Sequence, residues 1–240
     1  METHRIRLLR SQMVAEKTMA FHFEKPKQFP FRAGQFVDLT LIDPGETDAA
    51  GATRTFTLAS APFEDELMIA TRLRDTAFKR ILSRLVPGDE MLLEGPMGSF
   101  TLHSNASKPA VFLAGGIGIT PFLSISKQAA HEQLPHRIDL FYSNLRPESA
   151  AFLDILTELE TRNPRFRLTA TMTDLGPSAA RWKGETGFID SAMLRRRLED
   201  LQGPIYSVAG PPQMVEAMRQ MLIDAGVDQD DIRAEEFAGY

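Results

Sequence analysis

The sequence contains no cysteine among its 240 residues. Disulfide bonds, thiolate nucleophiles and cysteine-ligated zinc or iron–sulfur centres are therefore excluded within it. It also has no apolar run long enough for a membrane-spanning helix, and its first 20 residues carry charges throughout. We expect a cytoplasmic protein without a membrane span.

An excess of positive charge is absent as well, since 27 Lys and Arg stand against 32 Asp and Glu. This balance gives no support to nucleic-acid binding, and the basic cluster at 195–197 is explained by a solvated helix face. The five His residues are scattered, so we expect no metal site. A hydrophobic content of 43% is typical of a globular protein.

The most informative segment is 111–121, where a short apolar run breaks into glycines. It predicts a buried parallel strand, a tight turn and a helix, with Thr120 as N-cap and Pro121 at the first helical position. Such a turn directs backbone N–H groups at one point, which suits a pyrophosphate. An ordinary βα turn is the alternative, because Pro121 replaces the third glycine of the dinucleotide motif. The candidate binding residues here are Gly115, Gly116, Gly118, Thr120 and Pro121.

The pattern of predicted secondary structure differs between the two parts of the chain. Residues 1–104 contain many short alternating runs, the last at 99–102, and predict a small antiparallel β-barrel. In residues 108–240, predicted strands alternate with helices, which is the layout of a doubly wound parallel sheet. We therefore predict a two-domain fold, β followed by α/β, with its boundary in the polar segment 103–109.

Four motifs stand in a fixed order along the sequence and are followed by an aromatic C-terminus. They are RTFTLAS at 54–60, GPMGSF at 95–100, AGGIGITP at 114–121 and AGPPQM at 209–214. With these motifs the sequence resembles the ferredoxin–NADP reductase family of flavoenzymes over essentially its whole length. The resemblance implies an N-terminal flavin-binding β-barrel, a C-terminal NAD(P)-binding domain with a doubly wound parallel sheet, and a stand-alone member without an iron–sulfur domain.

By this resemblance, residues 54–57 form the flavin signature. Phe56 would lie against the isoalloxazine ring, Thr57 would hydrogen-bond flavin N5, and Arg54 would hold a flavin phosphate. The family usually has Tyr and Ser at positions 56 and 57, and an ordinary strand is the alternative interpretation. A following strand, turn and helix would meet the ring and the phosphates, although the family's Gly- and Ser-rich pattern is missing there. The further flavin residues implied are Thr55, Arg72, Leu73, Ala77, Phe78 and Lys79.

The resemblance assigns the glycine turn to a nicotinamide dinucleotide, and Pro121 is then the family's own variant. Arg146 follows the next predicted strand and favours NADPH by pairing with a 2′-phosphate, unless it is a surface residue. Ala209 replaces the Cys that the family usually carries near the nicotinamide. Beyond the turn itself, the implied dinucleotide residues are Ser143, Asn144, Arg146, Ala209, Gly210 and Pro211.

The C-terminal aromatic residues would cover the flavin. Phe237 is the first candidate and Tyr240 the second, and a frayed terminus is the alternative. Glu235 or Glu236 would lie near the ring as a proton source. We take Thr57, Glu236 and Phe237 as the catalytic candidates.

The function implied is transfer of a hydride from NADPH or NADH to bound FAD, with FMN as the less expected flavin. Electrons would then pass to an acceptor such as ferredoxin, flavodoxin or an oxygenase component. One alternative is a flavin or ferric-chelate reductase that acts on small molecules. Another is a non-catalytic flavin-binding subunit, which Ala209 and the altered segment 76–79 would suit.

Overall fold

The computed structural model describes residues 2–237, and these form two six-stranded sheets. The first sheet is antiparallel, in the order β4-β3-β6-β1-β2-β5. It curls until its edges approach, and the Ala59 N–H donates to the Met68 carbonyl at 2.7 Å, but β4 and β5 form no ladder within the described residues. The predicted barrel is confirmed as a curled sheet that does not close. Its elements are β1 (Thr3–Ala15), β2 (Thr18–Glu24), β3 (Phe36–Leu41), β4 (Thr53–Thr57), β5 (Glu66–Arg72), α1 (Ala77–Leu82) and β6 (Glu90–Met97).

Alternation of apolar and polar residues explains most of these strands. Phe21 and Phe23 of β2 and Leu39 of β3 point into a core that α1 closes with Phe78. The strand predicted at 99–102 is wrong. Although Phe100 and Leu102 alternate, the segment forms no ladder with the described strands, and β6 just before it already has β3 on one side and β1 on the other.

The second sheet is parallel, in the order β10-β9-β8-β7-β11-β12, and confirms the predicted α/β layout. The chain moves outward from β7 in one direction and then returns to β11 on its other side. Ligands bind at such a switch point, beyond the carboxyl ends of the strands. The strands are β7 (Ala110–Gly115), β8 (Ile138–Asn144), β9 (Phe166–Met172), β10 (Glu185–Thr186), β11 (Ile205–Gly210) and β12 (Ile232–Glu236).

Helices α2 to α5 cover the faces of this second sheet. None of the helices between residues 2 and 237 combines the length and the apolar character needed to cross a bilayer. They are α2 (Ile119–His131), α3 (Leu153–Arg162), α4 (Ser191–Arg197) and α5 (Pro212–Asp224).

Helix α2 begins two residues earlier than the sequence predicts. A 3-10 turn over Gly116–Gly118 starts to wind the chain directly after β7, so Gly118 occupies the N-cap position. Thr120 lies inside the first turn, where its hydroxyl donates to the Ile117 carbonyl at 3.1 Å. The predictions that Thr120 caps the helix and that Pro121 takes its first position are therefore wrong.

The same helix joins the two sheets. The buried hydroxyl of Ser124 donates to the Ser60 carbonyl at 2.6 Å. Near the end of α2, His131 stacks on Phe63 with ring centroids 3.9 Å apart. These contacts hold the start of the second sheet against the first.

Candidate active site

Two tight turns meet where β7 and β11 end. A Cβ atom at Gly118 would lie 2.3 Å from the carbonyl oxygen of Ala209, and one at Gly115 would lie 2.2 Å from the Met214 sulfur. A Cβ atom at Gly210 would lie 3.2 Å from the Gly115 backbone. A side chain at Gly118 would force the two turns apart, because its neighbour is backbone. Packing between the turns therefore requires glycine, whatever ligand the turns bind.

A cavity of about 460 Å³ opens beside these turns, and we call it the β8 cavity. The ends of β7, β8 and β9 and the helix α5 enclose it, and its surface is mostly apolar. Within residues 2–237, Arg72 is the one basic residue in its lining. Such a cavity has the size and character of a small-molecule site. Its lining residues are Arg72, Gly115, Gly116, Ser143, Asn144, Leu145, Thr173, Phe188, Ile189, Pro211, Gln213, Met214, Ala217 and Met218.

Asn144, which lines the β8 cavity, has a buried and unsatisfied amide. Its side chain is 5% exposed, and neither its nitrogen nor its oxygen has a hydrogen-bond partner among the described residues. An unpaired buried polar group costs about 1–3 kcal/mol, so a ligand that offers a donor and an acceptor would be favoured. Arg146 does not line the cavity. Its backbone instead exchanges hydrogen bonds with the Ser149 hydroxyl, at 3.2 and 2.8 Å.

A smaller cavity of about 120 Å³, the β4 cavity, lies between the first sheet and the glycine turn. β4 and β5 form one wall, while the turn and Phe237 form the other. The cavity brings most of the residues predicted for the flavin together with Thr120 from the predicted dinucleotide site, and it shares Arg72 with the β8 cavity. Its lining residues are Arg54, Thr55, Phe56, Thr57, Ala70, Thr71, Arg72, Lys79, Ile117, Thr120 and Phe237.

Lys79 brings a half-buried positive charge to the β4 cavity. It lies in the first turn of α1, whose N-cap is Thr76, because the Thr76 hydroxyl accepts a hydrogen bond from the Lys79 N–H at 3.3 Å. Burial lowers the pKa of the Lys79 ammonium, and repulsion by Arg74 and Arg54 lowers it further. No carboxylate pairs with this ammonium in the part of the chain that the structure describes. An anionic ligand would relieve both effects.

Arg54 is already engaged by the loop that precedes β4. Its Nη1 donates to the carbonyls of Ala50, Gly51 and Thr53 at 2.9, 2.9 and 2.7 Å. Its Nη2 donates to Asp48 Oδ1 at 2.7 Å. The resemblance implied that the Arg54 guanidinium binds a flavin phosphate. In the structure this guanidinium is already hydrogen-bonded to protein groups.

Three residues implied at the flavin lie outside the β4 cavity. Ala77 and Phe78 are buried, and the Phe78 ring packs 5.8 Å from the Phe56 ring. The backbone N–H of Leu73 donates to the Lys17 carbonyl at 2.7 Å, so it is not available to a ligand. Helix α1 turns its apolar residues inward, which leaves Lys79 as its contribution to the cavity.

The segment after β12 reaches the β4 cavity through Phe237, whose N–H donates to the Gly210 carbonyl at 2.9 Å. Glu236 is exposed and lies in neither cavity lining. Glu235 borders a separate and larger cavity of about 750 Å³, beside the segment that follows β6. Burial raises the pKa of Glu235. Tyr240 lies outside the described residues.

Sequence analysis missed several lining residues. Ile117 and Thr71 adjoin predicted residues, so their positions within the motifs were an available signal. Phe188 comes from a loop without any motif, as does Asp48, which lines neither cavity but contacts the lining residue Arg54, and nothing in the sequence pointed to them. The remaining implied residues Ala209 and Gly210 contribute to the packed turns and not to the two cavity linings.

Comparison with known proteins identifies the family. Residues 112–220 match the oxidoreductase NAD-binding domain family. The chain is 28% identical over 229 residues to ferredoxin–NADP reductase B of Sorangium cellulosum, which covers 92% of this chain and 91% of that protein. It superposes on a ferredoxin NADP⁺ reductase from Neisseria gonorrhoeae, crystallised with FAD and NADP, with a TM-score of 0.81, 25% identity and 98% coverage of both chains. The chain is thus similar to ferredoxin–NADP reductases over nearly its whole length. The resemblance carried by the four ordered motifs is confirmed.

Other relatives of the chain are longer. The glycine betaine monooxygenase reductase subunit of Chromohalobacter salexigens is 28% identical over 224 residues, which is 92% of this chain but 60% of that subunit. The chain thus spans less than two thirds of the length of this relative. The shared part is the part that contains both sheets.

Proposed function

We propose that the protein is an NAD(P)H-dependent flavoprotein reductase that passes a hydride from NAD(P)H to bound FAD and then electrons to an acceptor. The observation that carries the proposal is that one glycine turn borders both cavities. Gly116 lines the β8 cavity, and Ile117 and Thr120 line the β4 cavity. A dinucleotide at the first and a flavin at the second would meet at this turn. We assign the flavin to a domain of residues 1–104 and the dinucleotide to a domain of residues 108–240.

The residues of the β4 cavity fit a flavin. Phe56 and Phe237 offer apolar surface, Thr57 offers a hydroxyl, and Lys79 offers a half-buried charge that lacks a carboxylate partner in the described chain. When bound, the flavin accepts the hydride and releases electrons to the acceptor. The chain's part is to orient the ring, hold its phosphate and exclude water. About 120 Å³ is less than a flavin ring requires, so we expect the half-buried Phe237 side chain to turn aside.

We infer that NADH is the preferred donor. A 2′-phosphate in the β8 cavity would lie beside the apolar side chains of Leu145 and Phe188, with Arg72 as its one basic neighbour in the described lining. Arg146, which favours NADPH in the sequence, lies outside that lining. The Asn144 amide suits the donor and acceptor character of ribose hydroxyls.

We propose a separate redox protein as the acceptor: a ferredoxin, a flavodoxin or an oxygenase component. The names of two relatives, a ferredoxin–NADP reductase and a monooxygenase reductase subunit, support this class. One NAD(P)H supplies two electrons and therefore reduces two one-electron acceptors, with release of one proton. A cytoplasmic location is a prediction from the sequence.

The proposal is tested by the visible absorption spectrum of the purified protein, with FAD or FMN added and then with NADH under anaerobic conditions. We expect a flavin spectrum that NADH bleaches faster than NADPH. A colourless protein that takes up neither flavin would overturn the proposal. Bound flavin that neither dinucleotide reduces would favour the non-catalytic subunit. Reoxidation by ferredoxin, flavodoxin, free flavin or ferric chelates then distinguishes the acceptors.

A further inference from the structure

The loop before β4 is tied down at two points by opposite charges. Glu46 accepts two hydrogen bonds from the Arg80 guanidinium of α1, at 2.6 and 3.1 Å. Asp48 accepts one from Arg54, at 2.7 Å. The first ion pair lies away from the β4 cavity lining, whereas Arg54 belongs to that lining.

The Asp48 carboxylate is therefore an anion of the protein itself that already pairs with Arg54, one of the cations that line the β4 cavity. It also accepts hydrogen bonds from the backbone N–H groups of Ala50, at 3.0 Å, and Ala77. Burial opposes ionisation of Asp48, but the hydrogen bonds from Arg54 and the backbone lower its pKa. The carboxylate thus stays ionised at neutral pH.

We propose that Asp48 competes with the phosphate of a flavin for Arg54 and thereby limits the affinity for phosphate-bearing flavins. The inference rests on the flavin binding proposed above. A phosphate on Arg54 would place two anions on one guanidinium, and their repulsion is relieved when the loop releases Asp48. Lys79, which has no carboxylate partner in the described part of the chain, has no such competitor. The cofactor is consequently held less tightly than the cations of the cavity would allow.

Two comparisons separate this competition from other effects of the loop. Riboflavin has the same ring as FMN but no phosphate, so its binding does not depend on Arg54 being released. Glu46→Gln loosens the same loop at Arg80 without touching Arg54, and it is the matched control for Asp48→Asn. Asp48 is about one third exposed, with a side-chain exposure of 32%, and its substitution should leave the fold intact.

The experiment measures dissociation constants for FAD, FMN and riboflavin by flavin fluorescence in the full chain and in both variants. Asp48→Asn should tighten FAD and FMN about tenfold, which corresponds to one charge-assisted interaction, and should leave riboflavin unchanged. Glu46→Gln should leave all three constants within about twofold. Asp48→Ala repeats the test without a hydrogen-bonding side chain.

The other outcomes overturn the inference. Weaker FAD and FMN binding by Asp48→Asn would mean that Asp48 orients Arg54 for the phosphate. An equal gain for riboflavin, or the same gain from Glu46→Gln, would mean that loop mobility is the cause. If no variant binds any flavin, the proposed function fails and the inference with it. If only the Asp48 variants bind FAD, both are supported.

Discussion

The two cavities differ in the groups that they would offer to a phosphate. At the β4 cavity the charge comes from side chains, and Asp48 already occupies one of them, Arg54. At the glycine turn the groups are backbone, packed so closely that Gly118 admits no Cβ atom beside the Ala209 carbonyl. Charged side chains can change partners, so a loop or the pH can adjust their affinity. Backbone groups fixed by packing cannot be adjusted in that way.

The largest effect is expected where the packed turn is broken. Gly118→Ala would place a methyl group 2.3 Å from the Ala209 carbonyl oxygen. We expect the free energy of unfolding to fall by about 3 kcal/mol, as for severe overpacking, and NADH binding to be lost. Urea denaturation measures the change. Gly45→Ala is the control because nothing lies within 4 Å of its Cβ position, and equal stability of the two variants would contradict the prediction.

Flavin binding at the β4 cavity should be weakened by loss of a charge, whereas the glycine turn is sensitive to packing. Lys79→Met keeps the apolar stem of the side chain and removes the ammonium. We expect FAD and FMN to bind roughly ten- to a hundredfold more weakly, with riboflavin unchanged. Fluorescence titration gives the three constants, and Arg84→Met, at an exposed position nearby, should change none of them. An equal loss for riboflavin would show that Lys79 acts through packing.

A positive charge introduced into the β8 cavity should shift its selectivity from NADH towards NADPH. Leu145→Arg should raise kcat/KM for NADPH relative to NADH about tenfold, because the 2′-phosphate gains a cation. Arg146→Ala, one residue further, should change the ratio less than about twofold. Steady-state kinetics with both donors measures the ratio. Loss of NADPH use in the Arg146 variant would instead place that guanidinium at the phosphate.

The smallest effect is the response to pH. Because the pKa of Lys79 is lowered by burial and by nearby arginines, its ammonium loses its proton at a lower pH than an ordinary lysine. FAD binding favours the charged form, so its affinity should decline severalfold as the pH rises through the pKa of the free protein. Backbone N–H groups do not titrate there, and the dissociation constant of NADH should stay flat. In Lys79→Met the FAD constant should also become flat, and a persistent slope would assign the titration to another group.

The glycine turn could be predicted because its signal is local. An apolar run, glycines and Pro121 follow one another in the chain, and their order alone indicates a strand, a turn and a helix. The predicted helix start was wrong because Gly116–Gly118 form a 3-10 turn. These residues are compatible with that backbone geometry, but their sequence does not specify it.

The state of Arg54 could not be predicted for a different reason. Its place in the β4 cavity followed from a motif, but its partner depends on how a loop without regular pattern folds back. Glu46 and Asp48 are equivalent in the sequence, and only the folded loop decides that one meets Arg80 and the other Arg54. The same limit applies to Phe78, whose burial depends on how α1 packs on the first sheet.

Helix α2 also acts as a spacer. Its 13 residues, roughly 20 Å of helix, start at the glycine turn, and Ser124 and His131 along it contact residues 60–63, in the connection between β4 and β5. Under the proposed function, helix α2 thus fixes the distance between a nicotinamide at the turn and a flavin at β4. Since a misplacement of about 1 Å can cost a hundredfold in rate, a change at the Ser124–Ser60 contact would alter the speed of transfer while both ligands bind as before.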